Sequence, residues 1–176
     1  MEHKLRRTDR EMTSEETWSL LNRGYVGRLG IADPDGWPYV VPKMYAVLNG
    51  HIYFHGATAQ GHTRAGVAAN PRVCFEVDEP GPVFPTGTQG QCETSVGFES
   101  VILFGTCSEV TDEAEQLAAL DALMIKYAHP AWERPQTYAP MLKATVVFKI
   151  AVERVTGKRR PVTVAEQWRH MFPTEV

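Results

Sequence analysis

Where the strand-like run HIYFHG gives way to TRAGVAAN, Gly61, His62, Thr63 and Arg64 set a glycine, an imidazole, a hydroxyl and a guanidinium in a row. The backbone N–H groups at the start of a short helical turn, the Thr63 hydroxyl and the Arg64 guanidinium are the donors a phosphate takes. The same residues also suit a plain turn at Gly61, a helix cap from Thr63 and an Arg64 in water. The local pattern leaves both readings open.

Other side chains of chemical interest lie close by. His55 ends the run HIYFHG on the face opposite Ile52 and Phe54, beside Gly56 and Ala57, whose small side chains let a ligand approach. It reads equally as a hydrogen-bonded histidine at a sheet rim. Pro38 and Pro42 bracket the segment PYVVP, which suits an edge strand or an interrupted ladder, and Lys43 after it faces either an anion or solvent.

A metal site does not follow from the six histidines. His51 and His55 have the spacing that pairs ligands on a helix, but in a strand it separates them by roughly 13 Å. No H-E-x-x-H, P-loop, G-x-S-x-G or G-x-G-x-x-G pattern stands in its required setting, which removes the commonest motif-defined enzymes.

Bulk composition narrows the field further. Eighteen Lys and Arg against 21 Asp and Glu give a formal charge of −3, so there is no general electrostatic attraction to nucleic acid. Cys74, Cys92 and Cys107 are odd in number and far apart, which fits neither a disulfide framework nor a zinc site and is read as reduced thiols in a cytoplasmic protein. The charged start MEHKLRRTDREMTSEE lacks the apolar stretch of a signal peptide, and no apolar run reaches membrane-spanning length, so no membrane association is expected.

The elements that must position these residues are mostly strands. Thr13-Ser14-Glu15-Glu16 reads as a capping box opening a helix that ends near Gly24, with Trp18, Leu21 and Tyr25 on one face. Residues 25–32, 38–48 and 51–56 read as three antiparallel strands joined by turns at Asp33-Pro34-Asp35-Gly36 and Asn49-Gly50. RVCFEV alternates as a fourth strand, residues 97–110 give a fifth and 144–155 a sixth. Between the last two, a helix starting at Thr111-Asp112-Glu113 carries Leu117, Leu120, Met124 and Tyr127 at helical spacing. The Pro- and Gly-rich stretch 79–95 reads as a long loop. Six short strands with few helices predict a mainly β fold, a closed or split antiparallel barrel that hides its sheet edges, in one domain over residues 1–176.

Taken in order, GRLGIADPDGWPYVVPKMYAV, HIYFHGATAQGHTRAGVAANPRVCFEVD, FESVILFGTCSEVTD and VERVTGKRRP resemble the FMN-binding split-barrel superfamily. The likeness is to its pyridoxamine 5′-phosphate oxidase-like branch, close to the nitroimidazole-resistance (Nim) proteins. It covers about residues 8–162 and leaves the segment VAEQWRHMF outside, which reads as a surface helix or a cover for the cleft.

That resemblance implies a six-stranded antiparallel split barrel that forms a homodimer, with FMN at the interface and its phosphate held after the third strand. Carried over by position, Gly61, His62, Thr63 and Arg64 look like the phosphate segment, with Thr63 standing where many relatives carry lysine. Val41, Pro42 and Lys43 look like flavin-ring neighbours, Ser100-Val101 like a further contact, and His55 like the histidine near the reactive face. The implied activity is an FMN-dependent oxidoreductase acting on a small molecule, nitro compounds among the candidates, with no catalytic metal. Two rivals remain: a haem-binding protein with His55 or His62 on the iron, and a flavin-binding protein without turnover.

Overall fold

The computed structural model of the chain describes residues 5–85, 94–133 and 135–162. Seven strands, β1 (Gly27–Ala32), β2 (Pro38–Lys43), β3 (Ala46–Leu48), β4 (His51–Ala57), β5 (Arg72–Pro85), β6 (Thr94–Glu109) and β7 (Thr145–Arg160), join in one sheet of order β2-β1-β5-β6-β7-β4-β3. Three helices accompany it, α1 (Ser14–Arg23), α2 (His62–Ala69) and α3 (Glu113–Tyr127). The architecture is mainly β and antiparallel, the split barrel that the strand count and hairpin turns predict.

The chain divides into two compact units, and the long strands β5, β6 and β7 each contribute to both. Unit one comprises Met1–Gly24, Val77–Val101 and Thr156–Val176; unit two comprises Tyr25–Glu76 and Ile102–Val155.

In unit one, α1 begins as its sequence dictates. The Thr13 hydroxyl accepts from the Glu16 N–H, and Glu16 Oε2 accepts from the Thr13 N–H at 2.9 Å, closing a capping box. The helix buries Thr17, Leu20 and Leu21, so the face is one position off the expected one. Trp18 is only half-buried, and Tyr25 lies beyond the helix and is 69% exposed. Gly157 on β7 packs against α1: a Cβ there would come within 2.2 Å of Thr17 Oγ1, and the Gly157 carbonyl accepts from the Met12 N–H at 3.0 Å.

The stretch expected to be a loop over 79–95 is strand from Glu79 to Pro85 and again from Thr94, and residues 86–93 lie outside the described residues. Pro80 and Pro82 share one parity, so both missing N–H groups fall on the same edge of β5 and the other ladder is spared. Gly81 and Gly97 let backbones approach closely, because a Cβ on Gly81 would stand 2.9 Å from the Gly97 carbonyl oxygen. β7 likewise runs past Val155 to Arg160.

Unit two explains the seventh strand. The segment 38–48 breaks at Met44-Tyr45: β2 pairs with β1 from Gly27↔Lys43 to Ala32↔Pro38, whereas β3 pairs with β4 from Ala46↔Tyr53 to Leu48↔His51. At the break the Tyr45 ring is fully buried edge-on against Phe75, with centroids 5.1 Å apart. Its backbone bonds to a side chain: the N–H donates to Tyr127 Oη at 3.0 Å and the carbonyl accepts from it at 2.9 Å. A phenol from α3 therefore stands in for the ladder, which residue types along β2 do not announce. The β3–β4 turn follows expectation, Asn49 (φ 52°) and Gly50 (φ 73°) both lying in the left-handed region.

Helix α3 covers one face of β4. Its N-cap Asp112 accepts from the Glu115 N–H at 2.8 Å, and Ala119, Leu120 and Leu123 bury against Ala46, Tyr53 and Val147. The opposite face of β4 carries Phe54, stacked on Phe148 with centroids 5.0 Å apart. Both faces of the strand are thus covered, which is why Ile52, Tyr53 and Phe54 are all buried in succession.

Candidate functional site

A cavity of about 390 Å3 opens in unit two between the end of β4, β2 and the start of α2. Tyr39, Val41 and Lys43 line it from β2, Gly56 and Ala57 from β4, Phe148 from β7, and residues 59–64 from the linker and helix. The alternation of β2 turns those three side chains to one face and leaves Pro42 exposed on the other.

The helix start borders the cavity. α2 begins after Gly61 with no side-chain cap among the described residues and no acidic residue in its own first turn. Thr63 is not the cap: it lies inside α2, and its hydroxyl accepts from Lys43 Nζ at 3.3 Å.

Each of the three side chains after Gly61 is held by a different element. His62 Nε2 lies 2.7 Å from Asp33 Oδ2 in the β1–β2 turn, with the Tyr39 ring 4.1 Å from the imidazole. Thr63 meets Lys43 from β2. Arg64 meets Glu109 at the end of β6 through two bonds, Nε to Oε1 at 2.6 Å and Nη2 to Oε2 at 3.0 Å, and its Nη1 donates to the Thr58 carbonyl at 2.6 Å. The paired carboxylate raises the Arg64 pKa, so the guanidinium is a fixed cation.

Lys43 is different. Among the described residues it has no carboxylate partner; its ammonium lies 5.5 Å from the Phe54 ring centre and near the Cys107 thiol. Burial lowers its pKa, with Cys107 pulling weakly the other way. Burial likewise pushes the Cys107 thiol up to about 12, against a smaller opposing effect of Lys43. A half-buried ammonium without a counterion, beside an uncapped helix start, is a place where an anion gains more than it does at a solvated lysine.

The structure thus brings Val41, Lys43, Gly61, His62, Thr63 and Arg64 together around one cavity. Pro42 and His55 do not line it. His55 pairs across from Val147, sharing the face of β4 that bears Tyr53 rather than the one that bears Phe54. It keeps an exposed edge, while the packing round its ring and, less strongly, Lys43 hold its pKa below the ordinary histidine value. Ser100, half-buried, and Val101, fully buried, stand on β6 in unit one. Among the described residues no three His, Cys, Asp or Glu side chains gather as a metal set, and no helix is long and apolar enough to cross a membrane. Cys74 and Cys107 are free thiols; Cys92 and the segment VAEQWRHMF lie outside the described residues.

Asp33 and Glu109 went unremarked in the sequence as partners of this site. Asp33 belongs to an Asp-Pro-Asp-Gly turn whose composition is explained by turning alone, and Glu109 is 45 positions from Arg64. Nothing local signals either contact.

Compared with known proteins, residues 13–159 match the family described as pyridoxamine 5′-phosphate oxidase. The chain belongs to that family. Among solved structures, the family member is similar to a proposed 5-nitroimidazole antibiotic resistance protein from Bacteroides thetaiotaomicron, at 24% identity over 85% of this chain and 86% of that one, TM-score 0.71. An FAD-binding protein from Mesorhizobium loti is 31% identical over 86% of this chain and 98% of its own, TM-score 0.61. An FAD- and heme-binding protein from Mycobacterium smegmatis is 21% identical over 95% of this chain and 81% of its own, TM-score 0.70. No curated protein matches the chain significantly.

Proposed function

We propose that this chain binds a flavin nucleotide and acts as a flavin-dependent oxidoreductase on a small molecule. The observation that carries the reading is the uncapped start of α2 beside the Lys43–Thr63 pair, on a cavity walled by Val41, Gly56, Ala57 and Phe148. The donor set fits a flavin phosphate: helix N–H groups, the Thr63 hydroxyl, Lys43 as the unneutralised cation and Arg64 as a rigid donor. The two relatives that bind FAD support the same class of ligand. FMN is the proposed occupant, and FAD is the alternative that mass identification separates from it.

A flavin bound there supplies hydride or single-electron transfer. The chain's own residues anchor and orient it. Lys43 and Thr63 fix the anion, the small side chains of Gly56 and Ala57 leave room beside the β4 end, and His62, tied to Asp33, is held in one orientation. His55 does not line this cavity, so no contact with a flavin bound there is proposed for it; burial and, less strongly, Lys43 lower its pKa.

The chain is further proposed to work as a homodimer in the cytoplasm. Support comes from apolar side chains turned outward on the sheet of unit two, Val40 at 63% and Ile102 at 40% exposure, which a second copy would cover.

The absorption spectrum of the purified protein, with mass identification of what denaturation releases, tests the reading. Two flavin bands with FMN or FAD released are expected. A Soret band would replace the flavin by haem, and a flavin protein that turns over with no reductant and acceptor pair would be a binding protein only.

A further inference from the structure

Arg64 has five N–H groups, and the bonds to Glu109 and Thr58 engage three of them. Glu109 occupies the whole Nε/Nη2 edge in a two-bond fork, the geometry that best matches a guanidinium to a carboxylate. Arg64 lines the cavity and Glu109 does not, so the carboxylate stands behind the guanidinium as seen from a ligand.

Within the cradle Glu109 offsets Arg64, while Asp33 is hydrogen-bonded to the His62 ring. Lys43 remains as the cation with no carboxylate partner among the described residues. A cradle built this way offers an anion several donors but little net charge.

We propose that Glu109 is the positioning residue that sets the strength of anion discrimination at this site. It grips Arg64 along one edge, leaves the remaining two N–H groups for the ligand, and cancels the guanidinium charge, so that Lys43 is the cation left without a carboxylate partner among the described residues. The proposal rests on the flavin-phosphate reading above. It gives Glu109, which touches no ligand, control over how far the protein prefers phosphorylated flavins to riboflavin.

The test is the ratio of riboflavin Kd to the Kd of FMN or FAD, whichever the wild type binds more tightly, because riboflavin shares the ring system and lacks phosphate. Glu109→Gln keeps the shape and one accepting oxygen while removing the charge. It should raise the ratio about tenfold, the order expected for one unit charge near a phosphate in a partly solvated cleft, with riboflavin affinity unchanged. Glu109→Ala, which also releases the grip, should raise it less. Arg64→Met should lower it. A ratio unchanged in Glu109→Gln while Arg64→Met lowers it would overturn the role of Glu109 and leave the phosphate cradle standing. A wild type that binds neither FMN nor FAD, or an Arg64→Met variant with the wild-type ratio, would overturn the cradle and the proposal together. Far-ultraviolet circular dichroism of each variant separates these outcomes from misfolding.

Discussion

Lys43 Nζ on β2 lies 3.3 Å from Thr63 Oγ1 in the first turn of α2, joining two segments 20 positions apart across the mouth of one cavity. A lysine from β2 meets the hydroxyl of an α2 residue there. The positive charge is thus delivered by β2 while α2 contributes a hydroxyl and its uncapped N–H groups.

Replacing that cation should be felt mainly by phosphorylated ligands. Lys43→Met is expected to weaken FMN or FAD binding by about ten- to a hundredfold, consistent with a charge-assisted bond of roughly 1.5–3 kcal/mol, and to leave riboflavin affinity within about twofold. Fluorescence titration of apoprotein with each ligand checks it.

The same lysine makes a pH statement. Burial holds the pKa of Lys43 below its ordinary 10.5, so the folded apoprotein binds fewer protons than the unfolded chain between the lowered value and 10.5. The penalty of its buried charge is therefore present at low pH and relieved as pH rises through that window. A bound phosphate reverses the preference, because it stabilises the ammonium. Phosphorylated-flavin affinity should accordingly fall as the pH rises toward 10.5, and Lys43→Met should flatten the fall in a titration series.

Helix α3 is tied down by a carboxylate that ordinary acid should release. Glu115 Oε1 accepts from Tyr53 Oη at 2.6 Å and from Lys149 Nζ at 2.9 Å, and these bonds, Tyr53 first, lower its pKa from 4.5. A depressed carboxylate contributes stability above its unfolded pKa and loses it as pH falls through the folded one. The melting temperature should drop below about pH 4.5, and Glu115→Gln should show a smaller drop over the same range. Equal pH profiles for the two proteins would count against the linkage.

Gly27 illustrates a position where any side chain is excluded. A Cβ there would stand 2.0 Å from Phe75 Cζ, inside a ring that is fully buried and itself packed against Tyr45. Gly27→Ala should destabilise the protein by about 1–3 kcal/mol through forced repacking, read as a lower urea midpoint at unchanged slope.

Much of the scaffold was legible because its signals are local. The capping box at Thr13 and Glu16 spans four residues, the Asn49-Gly50 turn two, and the alternation of RVCFEV needs only its own strand. A Thr13→Ala change should therefore cost close to the ordinary cap value of about 1 kcal/mol, measurable by thermal denaturation.

What escaped was long-range. The break that makes β2 and β3 separate strands depends on a phenol 82 positions away, and the pairing of Arg64 with Glu109 spans 45. The prolines and glycines after Glu79 suggest a loop, but in the fold they lie in a continuing strand, with Gly81 and Gly97 as points of close backbone approach. The α2 half of the proposed cradle stands out in composition, whereas placing Lys43 on Thr63, and His55 away from the cavity, requires the sheet register.

The most direct test of the phosphate cradle is calorimetric titration of the wild-type apoprotein with FMN, FAD and riboflavin in parallel. At least one phosphorylated flavin is predicted to bind with micromolar or tighter affinity and riboflavin at least about tenfold more weakly, the difference supplied by Lys43, Thr63 and the α2 start. Equal affinity for all three ligands, or no binding by any, would contradict it.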